Sequence, residues 1–231
     1  GRSALASNTT GASNTALGLN ALLNNTTGSA NTATCESTIL NNTTGSSNTA
    51  HGVSALQNNT TGSSNTAHGR SALGSNTTGS GNIGIGFLSN AGSYAPVFNP
   101  TTENNRLVLG HTAITNAYVQ VSWTVVSDER DKMNFAPVPY GLDFVNQLQP
   151  TAYQFKVDRD TEEPHGDVRY GFKAQDILAL EGDNPVIIDT EDPERLKYKG
   201  EHLVPVLVNA VQELTTMVKD LQAEIAALKS A

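Results

Sequence analysis

The sequence has little of what a small domain usually relies on for stability or targeting. Of its 231 residues, 6% are aromatic, 16% are charged and one is a cysteine. The single Cys35 excludes an internal disulfide framework, and we expect it to fill a buried or half-buried position. No apolar run of about 18 residues is present, so no membrane insertion is predicted. No basic segment followed by an apolar stretch marks a secretory signal. Because the chain begins at Gly1, we expect a fragment of a longer protein.

Positive charge is also scarce, and the distribution of charge divides the chain in two. Residues 1–127 hold three basic and two acidic residues, whereas residues 128–231 hold eleven basic and twenty acidic residues. A strongly acidic half repels phosphate groups, so nucleic acid is not an expected partner. The nearly uncharged half is rich in Asn, Thr, Ser and Gly, a composition typical of either disorder or a repetitive fibre.

What is present in the first half is a strict repeat. The tetrapeptide Asn-Thr-Thr-Gly recurs every 17 residues, starting at Asn8, Asn25, Asn42, Asn59 and Asn76. A disordered linker has no reason to keep a fixed period, whereas stacked coils do. The approximate unit NTTGSxNTAxGxxALxx therefore predicts a β-repeat fibre over residues 1–88.

Each 17-residue unit suits two short strands and two turns. Asn and Gly are expected at left-handed turn positions, and Thr is expected in the strands. Each unit brings only two or three apolar side chains, among them an Ala-Leu pair that Thr38-Ile39 replaces once, and these are too few to form a core by themselves. Stacking along the fibre, together with association of three chains, is expected to bury the rest.

Two histidines, His51 and His68, occupy the same phase of consecutive units, which Leu17 and Ile85 fill elsewhere. The apolar occupants suggest that this phase points inward. In a trimer, three histidines per layer would then be placed to bind a metal ion. Packing or hydrogen bonding is the simpler interpretation. We therefore predict no metal and no other cofactor, with His51 and His68 as the candidate ligands if a metal does bind.

Beyond residue 88 the period is lost, and residues 89–127 are interpreted as the distal β segment of the fibre. Strands are predicted at 106–109 and 118–126, where apolar residues alternate or run together. Tyr118 and Trp123 are expected to pack in a core rather than to contact a receptor.

The C-terminal residues 201–231 predict one long helix. It should begin near Leu203, because Pro205 fits only the first turn of a helix. Apolar residues recur at alternating steps of three and four, the spacing of a coiled-coil seam. The seam consists of Val204, Leu207, Val211, Leu214, Val218, Leu221, Ile225 and Leu228. The seam places β-branched residues at one heptad position and leucine at the other. In an isolated coiled coil, this pattern favours a parallel pair of helices.

Blocks of distinctive sequence follow one another in the second half: SDERDK from residue 127, YGLDFVNQLQP and YQFK within 140–156, RYGFKAQD from 169 and LVPVLVNAVQEL from 203. In order and spacing they resemble the intramolecular chaperone, or peptidase S74, domain that ends phage endosialidases and many tail fibres. The NTAxG phase of the repeat is similar to the heads of trimeric autotransporter adhesins. The resemblance implies a trimer, a chaperone that folds the β-fibre, and self-cleavage at a serine.

The resemblance maps the Ser-Lys pair of the family onto Ser127 and Lys132, and it favours a three-stranded coiled coil over a two-stranded one. A serine hydroxyl is a weak nucleophile unless a base takes its proton, and a lysine is such a base only when neutral. Neutrality requires desolvation or nearby cations, and Arg130 is close in sequence. Acidic neighbours oppose it, so the side chains of Asp128, Glu129 and Asp131 are expected to point elsewhere.

Other residues offer alternatives at the site. A Ser-His pair with His111 is less favoured, because His111 belongs to the fibre part. Gln175 and Asn146 are minor candidates for oxyanion or positioning donors, although such residues more often bond to the backbone.

The scissile bond is expected beside Ser127. Attack of the hydroxyl on the carbonyl of Val126 forms a five-membered ring, an N-to-O acyl shift. Attack on the carbonyl of Ser127 itself would need a strained four-membered lactone. The resemblance nonetheless favours the Ser127–Asp128 bond, because endosialidase-like members keep the serine on the mature fibre, with attack from a neighbouring subunit. We prefer this second bond.

The expected architecture is a mainly β fibre of trimeric stacked β-coil repeats (1–88) with a distal β segment (89–127). A small α+β chaperone and self-cleaving domain (128–200) and a C-terminal trimeric coiled-coil helix (201–231) follow. The expected function is the distal part of a phage tail fibre, made in the host cytoplasm, carried on the virion and directed to a host-surface receptor such as a glycan. Its chaperone trimerises and folds the fibre, then releases itself at Ser127 as a single-turnover serine peptidase. The alternative is a bacterial trimeric surface adhesin with a permanently attached trimerisation domain.

Overall fold

A computed structural model describes residues 1–86, 98–111, 114, 116–120, 123, 125, 127–156 and 162–230. The chain divides into two compact units, one of residues 1–118 with 155–166 and the other of residues 119–154 with 167–231. Each unit contains its own cluster of buried apolar side chains. Within the described ranges, no helix is both long and apolar enough to cross a membrane.

The first unit is a β-solenoid, which confirms the prediction of stacked coils. Equivalent residues of consecutive coils pair in one parallel sheet, as Ala33 pairs with Ala50. The strands are β1 (Thr15–Leu17), β2 (Thr32–Thr34), β3 (Thr49–His51), β4 (Thr66–His68), β5 (Ile83–Ile85) and β6 (Leu107–Leu109). The spacing between β5 and β6 is 24 residues and departs from the 17-residue period.

Each coil contains one strand and not the predicted two. The other sides of the coil use residues with positive φ, such as Ser54 (φ 59°) and Leu56 (φ 49°), a conformation that a strand does not accommodate. Backbone hydrogen bonds still run along the fibre there, since the N–H of Leu56 donates to the carbonyl of Ala72. Stacking therefore continues around the coil even where the local conformation is not β.

The solenoid core is narrow and consists of the small central strand residue and the Ala-Leu pair of the coils, which Thr38-Ile39 replaces in one coil. Ala50, Leu56 and Ala67 are fully buried in this cluster. The neighbouring strand positions point outward, because side chains alternate across a strand. Leu17 and Ile85 are 67% and 47% exposed, so the expectation that their phase, shared by His51 and His68, points inward is wrong for the single chain.

The distal segment differs from its prediction. The strand predicted at 106–109 is present as β6, but the described residues between 118 and 125 carry no strand. Tyr118 and Trp123 are 93% and 74% exposed, so the expected core packing is not found in the chain. Residues 121, 122, 124 and 126 of the predicted strand, and residues 87–97 before it, lie outside the described residues. A strand needs a hydrogen-bonding partner, and β6 is the last strand of the solenoid sheet among the described residues.

The second unit carries the predicted small α+β region. Its core brings together Phe144, Ile177, Ile188 and Val206, with other apolar residues from the same elements. In chain order the α-helices and β-strands of residues 142–230 are α1 (Leu142–Gln147), β7 (Thr151–Lys156), β8 (Pro164–Gly171), α2 (Ala174–Glu181), β9 (Ile188–Asp189), β10 (Lys197–Tyr198) and α3 (Leu203–Ser230). β7 pairs with β8, and β9 pairs antiparallel with β10.

The long C-terminal helix α3 begins at Leu203, as predicted, with Pro205 in its first turn. Its apolar seam is exposed along its length, from 41% at Leu207 to 78% at Leu228. A helix with an apolar seam of this spacing buries those side chains by pairing with other helices. The coiled coil therefore stays a prediction about an assembly of chains.

Candidate active site

The sequence SDERDK folds into a tight turn in the second unit. Residues Glu129–Asp131 form a single turn of 3-10 helix, and the side chain of Asp128 caps it by accepting the backbone N–H of Arg130. The N–H of Lys132 donates to the carbonyl of Glu129 at 3.0 Å and closes the turn. The chain therefore reverses direction between Ser127 and Lys132.

This reversal brings the two candidate catalytic side chains together. The Nζ atom of Lys132 lies 2.6 Å from the Oγ atom of Ser127, within hydrogen-bonding distance. The charged ammonium donates this bond, and a neutral amine in the same place would accept the hydroxyl proton instead. The geometry therefore suits a lysine acting as general base on a serine nucleophile.

Both side chains of the pair are exposed to solvent in the single chain. The desolvation that would favour a neutral lysine is therefore not supplied by the described residues of this chain. Burial by other copies of the chain would supply it, because desolvation disfavours the ammonium form.

The charges around the pair are arranged differently from the sequence expectation. Arg130 does not face Lys132 as a free cation, because its guanidinium binds both oxygens of Asp128 at 3.0 and 2.6 Å. The hydrogen bonds from Arg130 lower the pKa of Asp128, and the same contact raises the pKa of Arg130. Asp128 and Arg130 therefore form an ion pair with each other.

A family model matches this part of the chain. Residues 127–184 match the peptidase S74 family, described as chaperone of endosialidase. The S74 match begins at Ser127 and covers about a quarter of the chain. No curated protein and no solved structure matches the chain. The resemblance seen in the sequence is thus confirmed over residues 127–184, whereas the LVPVLVNAVQEL block lies beyond the matched range.

The minor candidates from the sequence lie on other elements than the Ser-Lys pair. Asn146 is in α1 and Gln175 is in the first turn of α2, and both are exposed. Within the described residues, neither side chain hydrogen-bonds to Ser127 or Lys132. His111 follows β6 in the first unit, whereas the S74 match lies outside the solenoid.

The two solenoid histidines contact each other and a threonine. The rings of His51 and His68 meet edge to face with centroids 5.8 Å apart, and Nδ1 of His51 lies 2.6 Å from Oγ1 of Thr34. Among the described residues, no group of three or more His, Cys, Asp or Glu side chains is placed to hold a metal ion. The observed contacts are those of the packing and hydrogen-bonding interpretation, and metal binding between copies stays untested.

Sequence reasoning missed a buried carboxylate within the S74 match. Glu181, the last residue of α2, is 7% exposed, and its two oxygens accept the backbone N–H groups of Val186, Ile187 and Ile188 at 2.7–2.9 Å. It fixes the loop between α2 and β9. Nothing in the local sequence distinguishes Glu181 from the many exposed acidic residues, so the pattern carried no signal for it.

Proposed function

We propose that the chain is the distal part of a phage tail fibre whose C-terminal half is an intramolecular chaperone. Three copies associate through α3, the solenoids fold and align, and the chaperone then releases itself by cleavage beside Ser127. The contact of 2.6 Å between Lys132 Nζ and Ser127 Oγ, at the start of the S74 match, carries this proposal.

Two exposed apolar surfaces support association of copies. One is the seam of α3 and the other is the outward strand face of the solenoid, where Ile83, Leu107 and Leu109 are 41–57% exposed. Apolar surface of this extent is costly to leave in water and marks an interaction site. The assembled fibre would be carried on the virion and would present the solenoid to a receptor on the host surface, such as a glycan.

The cleavage step follows from the Ser-Lys geometry. Neutral Lys132 takes the hydroxyl proton of Ser127 as the oxygen attacks a peptide carbonyl carbon, and the protonated amine then delivers that proton to the leaving nitrogen. The C–N bond breaks, an ester to Oγ forms, and water hydrolyses the ester, releasing a new carboxylate and regenerating the hydroxyl. Each chain turns over once, because the bond that is cut belongs to the catalyst.

Two scissile bonds fit this chemistry. Cleavage at Val126–Ser127 proceeds within one chain through a five-membered ring. Cleavage at Ser127–Asp128 requires the hydroxyl of another copy, because attack on the serine's own carbonyl would close a four-membered ring. We favour the second bond, and the two are distinguished by whether the released C-terminal fragment begins with Ser127 or Asp128 on mass spectrometry.

A denaturing gel of the purified chain tests the proposal. Self-cleavage yields two fragments that together account for the 24.3 kDa of the chain, and Ser127→Ala should leave one intact band. Ser122→Ala, at another serine in the same stretch of sequence, serves as the matched control and should still be cut. An intact unaltered chain would favour the adhesin alternative with a permanently attached trimerisation domain. Cleavage of Ser127→Ala would exclude the mechanism.

A further inference from the structure

Helix α3 holds the segment that follows the Ser127–Lys132 turn. The side-chain amide of Asn209 donates to the backbone carbonyls of Val138 and Tyr140, at 3.1 and 3.0 Å. Both partners are carbonyl oxygens, which only accept hydrogen bonds, so both must face the NH2 group. The side chain thus uses both of its N–H donors on one short stretch of backbone.

Glu213 lies one helical turn after Asn209 and holds the next part of the same segment. Its Oε2 atom accepts the N–H of Leu142 at 2.7 Å. That N–H is one of the groups at the start of α1 that no carbonyl of the helix itself reaches. Gly141 leaves room for the carboxylate, because a Cβ atom at this position would clash with Oε1 of Glu213.

Apolar packing in the core of the second unit also holds this segment. The ring of Tyr140 stacks on Phe144 with centroids 4.4 Å apart, and its hydroxyl donates to the carbonyl of Glu181 at 3.3 Å. Phe144 packs in the same cluster as Leu203 and Val206 of α3. Residues 138–144 are therefore fixed relative to α3 by polar and apolar contacts together.

The stretch between this attachment and the Ser-Lys turn makes few contacts. Residues 133–137 form no helix or strand, and Met133 and Phe135 are 80% and 69% exposed. Downstream of Lys132, the bond between Val138 and Asn209 is the first to a side chain that the described residues show. The position of the turn relative to the folded body thus depends on where residues 138–142 are held.

We infer that Asn209 and Glu213 are positioning residues for cleavage beside Ser127. They attach the segment that follows the Ser-Lys turn to α3. The turn therefore takes the position that cleavage requires only when α3 has packed against this segment. The inference rests on the proposed self-cleavage. Misplacing reacting groups by about 1 Å costs on the order of 10²-fold in rate, so loss of the anchor at Val138, six residues after Lys132, is enough to slow the reaction.

The sharpest test is Asn209→Asp, measured in the full chain. The substitution keeps the size of the side chain but replaces two donors with acceptors that face two carbonyl oxygens. Cleavage should slow by about tenfold or more. Folding is followed separately in the uncleavable Ser127→Ala background, where Asn209→Asp should keep the oligomeric state and melt within a few degrees of its parent. Gln212→Ala, at an exposed position between the two residues on α3, is the matched control and should cleave normally.

Glu213 allows a test by conservative rescue. Glu213→Ala removes the acceptor for the N–H of Leu142 and should slow cleavage, whereas Glu213→Gln keeps an acceptor oxygen and should restore most of the rate. Neither Asn209 nor Glu213 handles the transferred proton. The plateau of the pH–rate profile should therefore fall in Asn209→Asp and Glu213→Ala while its midpoint stays where it is in the unaltered chain.

The outcomes separate this inference from the proposed function. Normal cleavage by a folded Asn209→Asp chain overturns the positioning role. So does a loss of cleavage that only tracks a loss of folding in the Ser127→Ala background, or a shifted pH midpoint. An unaltered chain that stays intact, or a Ser127→Ala chain that is cut, overturns the proposed function and this inference with it. If cleavage depends on Ser127 but keeps its normal rate in the Asn209→Asp chain, only the positioning role is overturned.

Discussion

The side-chain amide of Asn42 donates to the side-chain oxygen of Asn25, one coil earlier, at 2.7 Å. Asn59 makes the same bond to Asn42, and Asn76 to Asn59, both at 2.8 Å. Each amide also donates to a carbonyl of its own coil, as Asn59 does to Gly62 at 2.9 Å. These side chains are fully buried, so the ladder satisfies polar groups that the narrow interior hides from water.

The ladder predicts a large effect of Asn59→Leu on stability. The change keeps the branching of the side chain at Cγ but removes the donor to Asn42 and Gly62 and the acceptor for Asn76. Each buried polar group left unsatisfied costs about 1–3 kcal/mol, so the free energy of unfolding should fall by at least that amount. Urea unfolding of the uncleavable Ser127→Ala chain measures it.

Asn58→Leu is the matched control for the ladder. Asn58 is the neighbouring residue, but its side chain is exposed and its bond with Asn41 is 3.4 Å long. Its replacement should change the free energy of unfolding by no more than about 0.5 kcal/mol. Equal effects of Asn58→Leu and Asn59→Leu would show that the buried ladder does not stabilise the solenoid.

Cys35 predicts a stabilising substitution. It is exposed and not buried or half-buried as expected, and it occupies the glycine position of the repeat with φ +96°. The equivalent Gly18 and Gly52 have φ of +151° and +130°, and a Cβ atom added at either would clash with the backbone of the next coil. Cys35→Gly should therefore raise the free energy of unfolding by about 1 kcal/mol, because it relieves a conformation that costs a side-chain-bearing residue.

Two further variants check the explanation for Cys35. Cys35→Ser retains the Cβ atom and should bring no gain, whereas Gly18→Ala should destabilise the solenoid. A gain from Cys35→Ser equal to that from Cys35→Gly would mean that the thiol, and not the backbone conformation, is the source of the strain.

Lys132→Arg separates the role of the lysine as a base from its role as a positive charge. A guanidinium reaches a similar place and donates similar bonds, but it stays protonated and cannot take the proton of Ser127. The chain should fold and assemble yet remain uncut on a denaturing gel. Lys156→Arg, in β7, keeps cleavage and serves as control. Cleavage of the Lys132→Arg chain at the normal rate would exclude Lys132 as the base.

The chaperone role predicts that folding information is lost on cleavage. Correct pairing among three separate chains is slow, and in the proposed trimer α3 would raise the effective concentration of the three fibre chains. After dilution from guanidinium, the uncleaved Ser127→Ala chain should regain its trimer, whereas the separated residues 1–127 should not. Size-exclusion chromatography measures the yield. Equal recovery would mean that the second half guides no folding.

The sequence predicted those features that depend on local repetition. The period of Asn8, Asn25 and Asn42 predicted the solenoid, because stacked coils impose one length on every unit. Pro205 predicted that α3 begins near Leu203, where it does begin, because proline is tolerated only where the helix needs no N–H donor. The block from Ser127 to Lys132 predicted the pair that the fold brings into contact.

The sequence by itself therefore determined the coil repeat, the helix and the identity of the candidate pair. Tertiary structure alone decided that the repeated Asn residues form buried ladders while Ser54 and Leu56 take the left-handed turns, because a ladder bond exists only between stacked coils. It also decided that the His51 phase faces outward, since side chains alternate across each strand and the central Ala faces the core. The attachment of residues 138–142 by Asn209 and Glu213 joins positions about 70 residues apart, and no local pattern records which distant backbone a side chain will meet.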